Sequence, residues 1–219
     1  MLPDAASNHR SWFSRGRQRV ELDGVTVFIG PADAILAFPE SAAELATAVE
    51  LARGAREISC WALGPDDELG RRLASLGFQD GWSPHWMGVD PRGGHDEPPH
   101  GVDESTTCEP RLPYASEHHR SVLGGDVRHF LVRDGSDIVG HAVLNVDRAT
   151  GGIYDMGVAP QARRRGFGRA LTLAALSVAA EAGCTSVTLN ATAEGELLYR
   201  SVGFESLGHG MTWWLLPRH

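Results

Sequence analysis

The stretch APQARRRGFGRALT, residues 159–172, sets four arginines and two glycines between an apolar run and an Ala/Leu-rich one. Arg163, Arg164, Arg165 and Arg169 bring guanidinium groups, the donors best matched to phosphate oxygens. Gly166 and Gly168 let the backbone come close to a ligand, and the first N–H groups of a helix starting here lack intrahelical partners. With the helix dipole, those first amides make an anion site suited to a pyrophosphate, with the arginines adding charge at its rim. The turn lacks the closing Lys-Ser/Thr of a Walker loop and the three-glycine dinucleotide pattern, which argues against nucleoside triphosphates and nicotinamide cofactors. A phosphate-ester enzyme would want metal-binding carboxylates beside the turn, and the sequence offers none there.

The elements that must hold this turn are legible as periods and breaks. GIYDMGVA reads as a strand running into the turn, and GRALTLAALSVAAEAG as a buried helix leaving it and stopping at Gly183. Upstream, RHFLVRD and DIVGHAVLNV are β-rich runs separated by an Asp134-Gly135 turn; downstream come a strand SVTLNA, a short helix GELLYRSV and a strand MTWWLL. YASEHHRSVLG reads as a short helical piece. The first half offers a hairpin around Asp23-Gly24, a helix in PESAAELATAVELARG, a strand EISCWAL, a helix in PDDELGRRLASLGF and a strand near PHWMGVD. Between the halves, DPRGGHDEPPHGVDESTTCEP is proline-rich, acidic and almost without apolar residues, as a linker is. LASLGF at 73–78 and YRSVGF at 199–204 each end a helix before a Trp-containing strand, which points to an internal repeat offset by 126 residues. The first copy has no counterpart of the arginine-glycine turn.

A net charge of −8 argues against general nucleic-acid binding, so the arginine cluster reads as a local site for a small polyanion. Every one of the basic residues is arginine, which is a composition bias before it is a function. No apolar stretch nears the roughly 20 residues of a membrane span, and MLPDAASNHRSW has no secretory core, so a cytoplasmic protein is expected. Cys60, Cys108 and Cys184 are odd in number and far apart, which predicts reduced thiols, with Cys60 and Cys184 buried, and no zinc site. The adjacent His118 and His119 have no nearby Cys partner, so no metal is expected.

Val158-x-Pro160-x-x-Arg163-x-x-Gly166-x-Gly168, on a strand-turn-helix, resembles the acetyl-CoA-binding motif of the GNAT superfamily of N-acyltransferases. LNATAEGELLYRSVGF resembles the closing strand-helix signature of that family. The resemblance covers residues 111–219, and the first half resembles a degenerate, partial copy with Leu73 in the place of Tyr199. It implies a mixed α/β fold with a mostly antiparallel sheet flanked by helices. The implied organisation is a degenerate domain at 1–92, a linker at 93–110 and a catalytic domain at 111–219. It further implies that amides from Arg164 to Arg169 hold the pyrophosphate of coenzyme A. The strand through Met156 and Val158 would splay from its neighbour to pair with the pantetheine arm, which Asn190 would touch from the other side.

Acyl transfer from a thioester needs a neutral amine, a polarised carbonyl and a protonated leaving sulfur. The resemblance implies Tyr199 as acid to the sulfur, and the Val158 N–H is placed to polarise the carbonyl. Asp155 sits mid-strand between apolar residues, where an acid is costly unless it faces a cleft, and is the first candidate for the base. Strict alternation puts it on the face opposite Met156 and Val158 unless a bulge re-aims it. Glu117, His118 and His119 lie where the family shapes its acceptor pocket; Glu194 reads as a helix-start acid. The expected activity is acetyl-CoA-dependent N-acetylation of a primary amine on a small molecule or peptide. The expected assembly is a monomer with an internal pseudo-dimer or a homodimer, with neither nucleic acid nor membrane as partner. A non-catalytic acyl-CoA-binding regulatory module is the rival.

Overall fold

Runs of β-branched residues bounded by Gly and Asp turns become strands in the computed structural model, which describes residues 1–98, 100–105 and 127–216. Cys108, the expected helical piece at 114–124, and with it Glu117, His118 and His119, lie outside the described residues. Helix α1 (Leu2–Ser14) is followed by β1 (Gln18–Leu22), β2 (Val25–Ile29), β3 (Asp33–Ala37), α2 (Leu45–Leu51), β4 (Glu57–Ala62), α3 (Asp67–Ser75) and β5 (Gln79–Asp80). Then come β6 (His85–Val89), β7 (Val102–Ser105), β8 (Val127–Asp134), β9 (Asp137–Asp147), β10 (Thr150–Val158), α4 (Phe167–Glu181), β11 (Ser186–Ala191), α5 (Ala193–Ser201), β12 (Glu205–His209) and β13 (Met211–Leu215). Helices start where a side chain can satisfy their first amides: Asp66 Oδ1 accepts from Leu69 N at 2.9 Å, and Thr192 Oγ1 from Gly195 N at 3.1 Å. Helix α2 starts at Leu45, later than Pro39 and Ser41 suggest, because Ser41 Oγ accepts from Ala43 N at 3.1 Å in a local turn that competes with helix.

Two compact units emerge, each with its own core. One comprises Met1–His9 and Met87–Leu207, with strand order β12-β6-β11-β10-β9-β8-β7. Its core packs Phe130, Val132, Leu144, Ile153 and Leu189 of the sheet against Leu171 and Leu176 of α4. Burying each such side chain stabilises by roughly 1.5–3 kcal/mol, so α4 is pinned along its length and its first turn is held firmly at the end of β10. The other unit comprises Arg10–Trp86 and the chain from Gly208 onward, with strand order β1-β2-β3-β4-β13-β5. Its core joins Val27, Leu36, Cys60 and Trp213 to Leu45 and Leu73 of its helices.

The units are discontinuous in sequence, unlike the expected division at 1–92, 93–110 and 111–219. Strand β6 lies in the sheet built from the second half, and β13 lies between β4 and β5 of the first. Periodicity marks a run as a strand but is silent on which edge it pairs, since pairing is non-local. The expected linker contains a strand as well: β7 pairs antiparallel with β8, from Val102↔Val132 to Ser105↔His129. Its polar composition suits an edge strand, where Arg128–Glu104 at 3.2 Å and Arg133–Asp103 at 3.1 Å tie it across the ladder. Among the described residues no helix is long and apolar enough to cross a membrane, and no cluster of His, Cys, Asp or Glu could hold a metal ion.

Candidate active site

Gly166 caps α4 with φ 87°, the left-handed region that glycine enters without strain, and Arg164 shares that region at φ 62°. No side chain caps this helix, and among the described residues the backbone N–H groups of Arg164 through Arg169 donate to no backbone acceptor. They form an open row of donors at the positive end of a helix dipole. A Cβ added at Gly168 would come 3.0 Å from Leu198 Cδ2 and 3.6 Å from Met156 Cε, so the glycine keeps the space beside those two side chains open.

The arginines are less available than the sequence implies. Arg165 makes a bidentate pair with Asp134 at 2.6 and 3.0 Å, which holds that carboxyl below its ordinary range, and its guanidinium lies over the Phe167 ring. Arg169 donates to Asp96 at 2.7 Å and to the Ser201 carbonyl at 2.9 Å. Arg163 donates through Nε to the Val158 carbonyl at 3.2 Å and through Nη1 to Glu194 at 3.3 Å. Arg164 alone of the four makes no ion pair among the described residues. These pairs are solvent-exposed and screened by water and salt, so a phosphate can displace the acids.

Behind the turn the sheet opens. Strands β10 and β11 pair in parallel over three positions, Thr150–Gly152 against Ser186–Thr188. Beyond them β10 carries a bulge between Tyr154 and Gly157, with Asp155 at φ 44°, and its remaining pairs are all with β9. Ala159 N donates to Val139 O at 2.7 Å. In an antiparallel ladder successive residues alternate sides, so the N–H and C=O of Val158 face away from β9 and into the gap.

The bulge moves Met156 and Val158 onto the α4 face, where both pack against the core. Tyr199, on α5, reaches the same place: its hydroxyl lies 3.8 Å from Met156 Sδ, and Thr172 Oγ1 lies 3.6 Å from that sulfur. The phenol is buried, and desolvation pushes its pKa up to about 12. Asn190 lies on β11 just past the last parallel pair, half-buried.

Residues 96–204 match the model of the Acetyltransferase (GNAT) family. The chain contains a GNAT acetyltransferase domain. The enzyme is therefore an acyltransferase. No curated protein matches the sequence. Among solved structures, a GCN5-related N-acetyltransferase from Kribbella flavida superposes with a TM-score of 0.77 at 21% identity, covering 100% of this chain and 97% of that one. A GCN5-related N-acetyltransferase from Sphaerobacter thermophilus gives 0.60 at 16% identity over 96% of this chain and 85% of that one. A tandem GNAT protein from the clavulanic acid biosynthesis pathway gives 0.57 at 17% over 89% and 79%. At these identities the likeness is one of fold.

Within the GNAT domain, the expected site residues fall into two groups. Met156, Val158, Gly168 and Tyr199 lie together at the end of β10, with Arg163, Arg164, Arg165, Gly166, Phe167 and Arg169 in the turn and first helical residues that follow and Asn190 on β11. Asp155 is exposed, with φ 44°, within the bulge. The sequence reading missed a polar cluster under the sheet: Asn8 and His9 of α1 with Tyr154, Asn145 and Thr150. More than 130 residues separate α1 from those partners, and the sole local signal is an Asn-His pair on the buried face of a helix. His141 was missed too; it is buried directly opposite Gly157 in the bulge.

Proposed function

We propose that the enzyme is an acetyl-CoA-dependent N-acetyltransferase that moves an acetyl group to a primary amine of a small molecule or peptide by direct attack on the thioester. The observation that carries this reading is the edge of β10 left without a β11 partner beyond Gly152, followed directly by the uncapped amides of Arg164 to Arg169. The residues fit the donor: a diphosphate suits the row of N–H groups, and an arm with amide groups suits the exposed edge at Met156 and Val158, with Asn190 opposite. When bound, acetyl-CoA supplies the activated acyl group.

The chain supplies the rest. The Val158 N–H polarises the acyl carbonyl as an oxyanion donor does. Tyr199 donates to the leaving sulfur. With a pKa of about 12 its proton is present at every working pH, so it stabilises developing charge as a hydrogen-bond donor. Full transfer to a thiolate, whose ordinary pKa is about 8.5, is uphill by several kcal/mol, so a proton leaving the product ammonium completes the balance. A primary amine of pKa about 10 is mostly charged near neutral pH; Asp155 takes its proton through water, at the solvent side of the bulge.

Residues 10–86 act as a degenerate copy without a donor site. Strands β3 and β4, counterparts of β10 and β11, stay paired over five positions from Asp33↔Glu57 to Ala37↔Trp61, and α2 starts at Leu45, capped by Glu44, with no glycine turn. The buried free thiols of Cys60 and Cys184 agree with a reducing cytoplasm. Thiol release from acetyl-CoA, measured against a panel of amines, tests the reading, with amine-dependent release expected. Transfer confined to hydroxyl acceptors, or release from longer acyl-CoAs alone, would refute it, and tight coenzyme A binding with no turnover would return the regulatory module to the front.

A further inference from the structure

Helix α1 lies along the β11 face opposite α4. Asp4 accepts from Ser186 Oγ at 2.9 Å, and four residues of strand later the Asn190 amide nitrogen lies 3.3 Å from His9 Nε2. His9 is 1% exposed. Its other ring nitrogen, Nδ1, lies 3.1 Å from the Ala5 carbonyl oxygen and 3.1 Å from Tyr154 Oη. Tyr154 Oη donates in turn to Asn8 Oδ1 at 2.9 Å, leaving its lone pairs toward Nδ1.

These contacts have one consistent set of protons. A carbonyl oxygen only accepts, so Nδ1 carries the hydrogen and shares it between Ala5 O and Tyr154 Oη. Burial keeps the ring neutral, which leaves Nε2 as a bare lone pair. A lone pair requires a donor, so Asn190 presents its NH2 end to His9. Its carbonyl oxygen is then the free end of the planar amide. The opposite flip would set oxygen against lone pair and lose the bond.

We infer that His9 is a positioning residue for the acyl donor: it locks the Asn190 amide so that Oδ1 is held as an acceptor for an amide N–H of the pantetheine arm. The inference rests on the proposed contact between Asn190 and that arm, and it gives α1, which the turn and strand motifs do not include, a part in donor binding.

Two measurements test it. In the wild-type enzyme, 15N NMR of the His9 imidazole should show the Nδ1–H tautomer from pH 6 to 9; an Nε2–H tautomer overturns the inference without any variant. In a double-mutant cycle of His9→Phe and Asn190→Ala, coenzyme A binding is read by calorimetry, alongside KM for acetyl-CoA and kcat. Each single variant should raise Kd and KM about five- to tenfold with kcat within about twofold, as loss of one hydrogen bond does. The double variant should be no weaker than Asn190→Ala alone. His9→Gln, which keeps an acceptor, should recover most of the affinity, and it carries the test if His9→Phe fails to fold. Additive effects, or a His9→Gln no better than His9→Phe, reduce His9 to a packing role and contradict the inference. If Asn190→Ala leaves Kd unchanged, the Asn190 contact itself fails and the inference falls with it. If Asn190→Ala weakens binding while His9→Phe does not, the inference fails alone.

Discussion

Tyr199 is placed by three neighbours: the Met156 sulfur, the Phe204 ring at 5.7 Å between centroids, and the first turns of α5 capped by Thr192. Its hydroxyl has one chemical use in the gap, as a donor, because burial suppresses ionisation. Tyr199→Phe should therefore lower kcat by roughly 10²-fold while KM for acetyl-CoA stays within about twofold; steady-state kinetics across pH 6–9 check it, and an unaltered kcat removes the phenol from the mechanism. His9 makes a different prediction. The folded chain holds its pKa down to about 3 while the unfolded chain ionises near the ordinary histidine value of 6.5, so below that value the unfolded state binds the extra proton. Stability contributed by neutral His9 is complete above about pH 6.5 and is lost as pH falls toward 3, by up to ~1.4 kcal/mol per pH unit. Urea melts between pH 7 and 4 should show this slope, flattened in His9→Gln; parallel slopes contradict it.

At the scale of elements, the gap is a consequence of where pairing stops. Three parallel pairs join β10 to β11, and beyond the bulge β10 pairs with β9 alone. The five-position ladder of β3 and β4 leaves no such edge. Titration calorimetry should accordingly give one coenzyme A per chain; two equivalent sites would contradict the assignment of a single donor site. Much of this was legible in residue order. The turn at Gly166, the helix ending before Gly183, the hairpin at Gly24 and the β-rich runs around Asp134-Gly135 each carry a local reason in a positive φ or an alternation. The bulge was conditional in the sequence, since Asp155 breaks alternation without saying how. What stayed hidden is non-local: α1 as a helix, β7 inside an acidic proline-rich stretch, and the acids that engage Arg163, Arg165 and Arg169. No spacing rule joins Arg165 to Asp134 or His9 to Asn190.

At the scale of the whole molecule, chain connectivity ties the halves together. Strand β13 contributes a central member of the six-stranded sheet, pairing Met211↔Ala62 through Leu215↔Ile58 on one side and Trp213↔Asp80 on the other. Trp213 is 3% exposed in that core, and losing a buried Trp alone costs roughly 3–5 kcal/mol, a large part of an ordinary domain's 5–15 kcal/mol. A chain ending at residue 210 should lose the cooperative melt and the near-UV tryptophan circular dichroism of residues 10–86; a wild-type melt would show that β13 is dispensable. The central claim concerns the other sheet. A crystal structure of the enzyme with coenzyme A measures it most directly: the account predicts the diphosphate on the amides of Arg164 to Arg169 and the sulfur within hydrogen-bond reach of Tyr199 Oη. A ligand bound elsewhere, or a sulfur out of reach of that phenol, would contradict it.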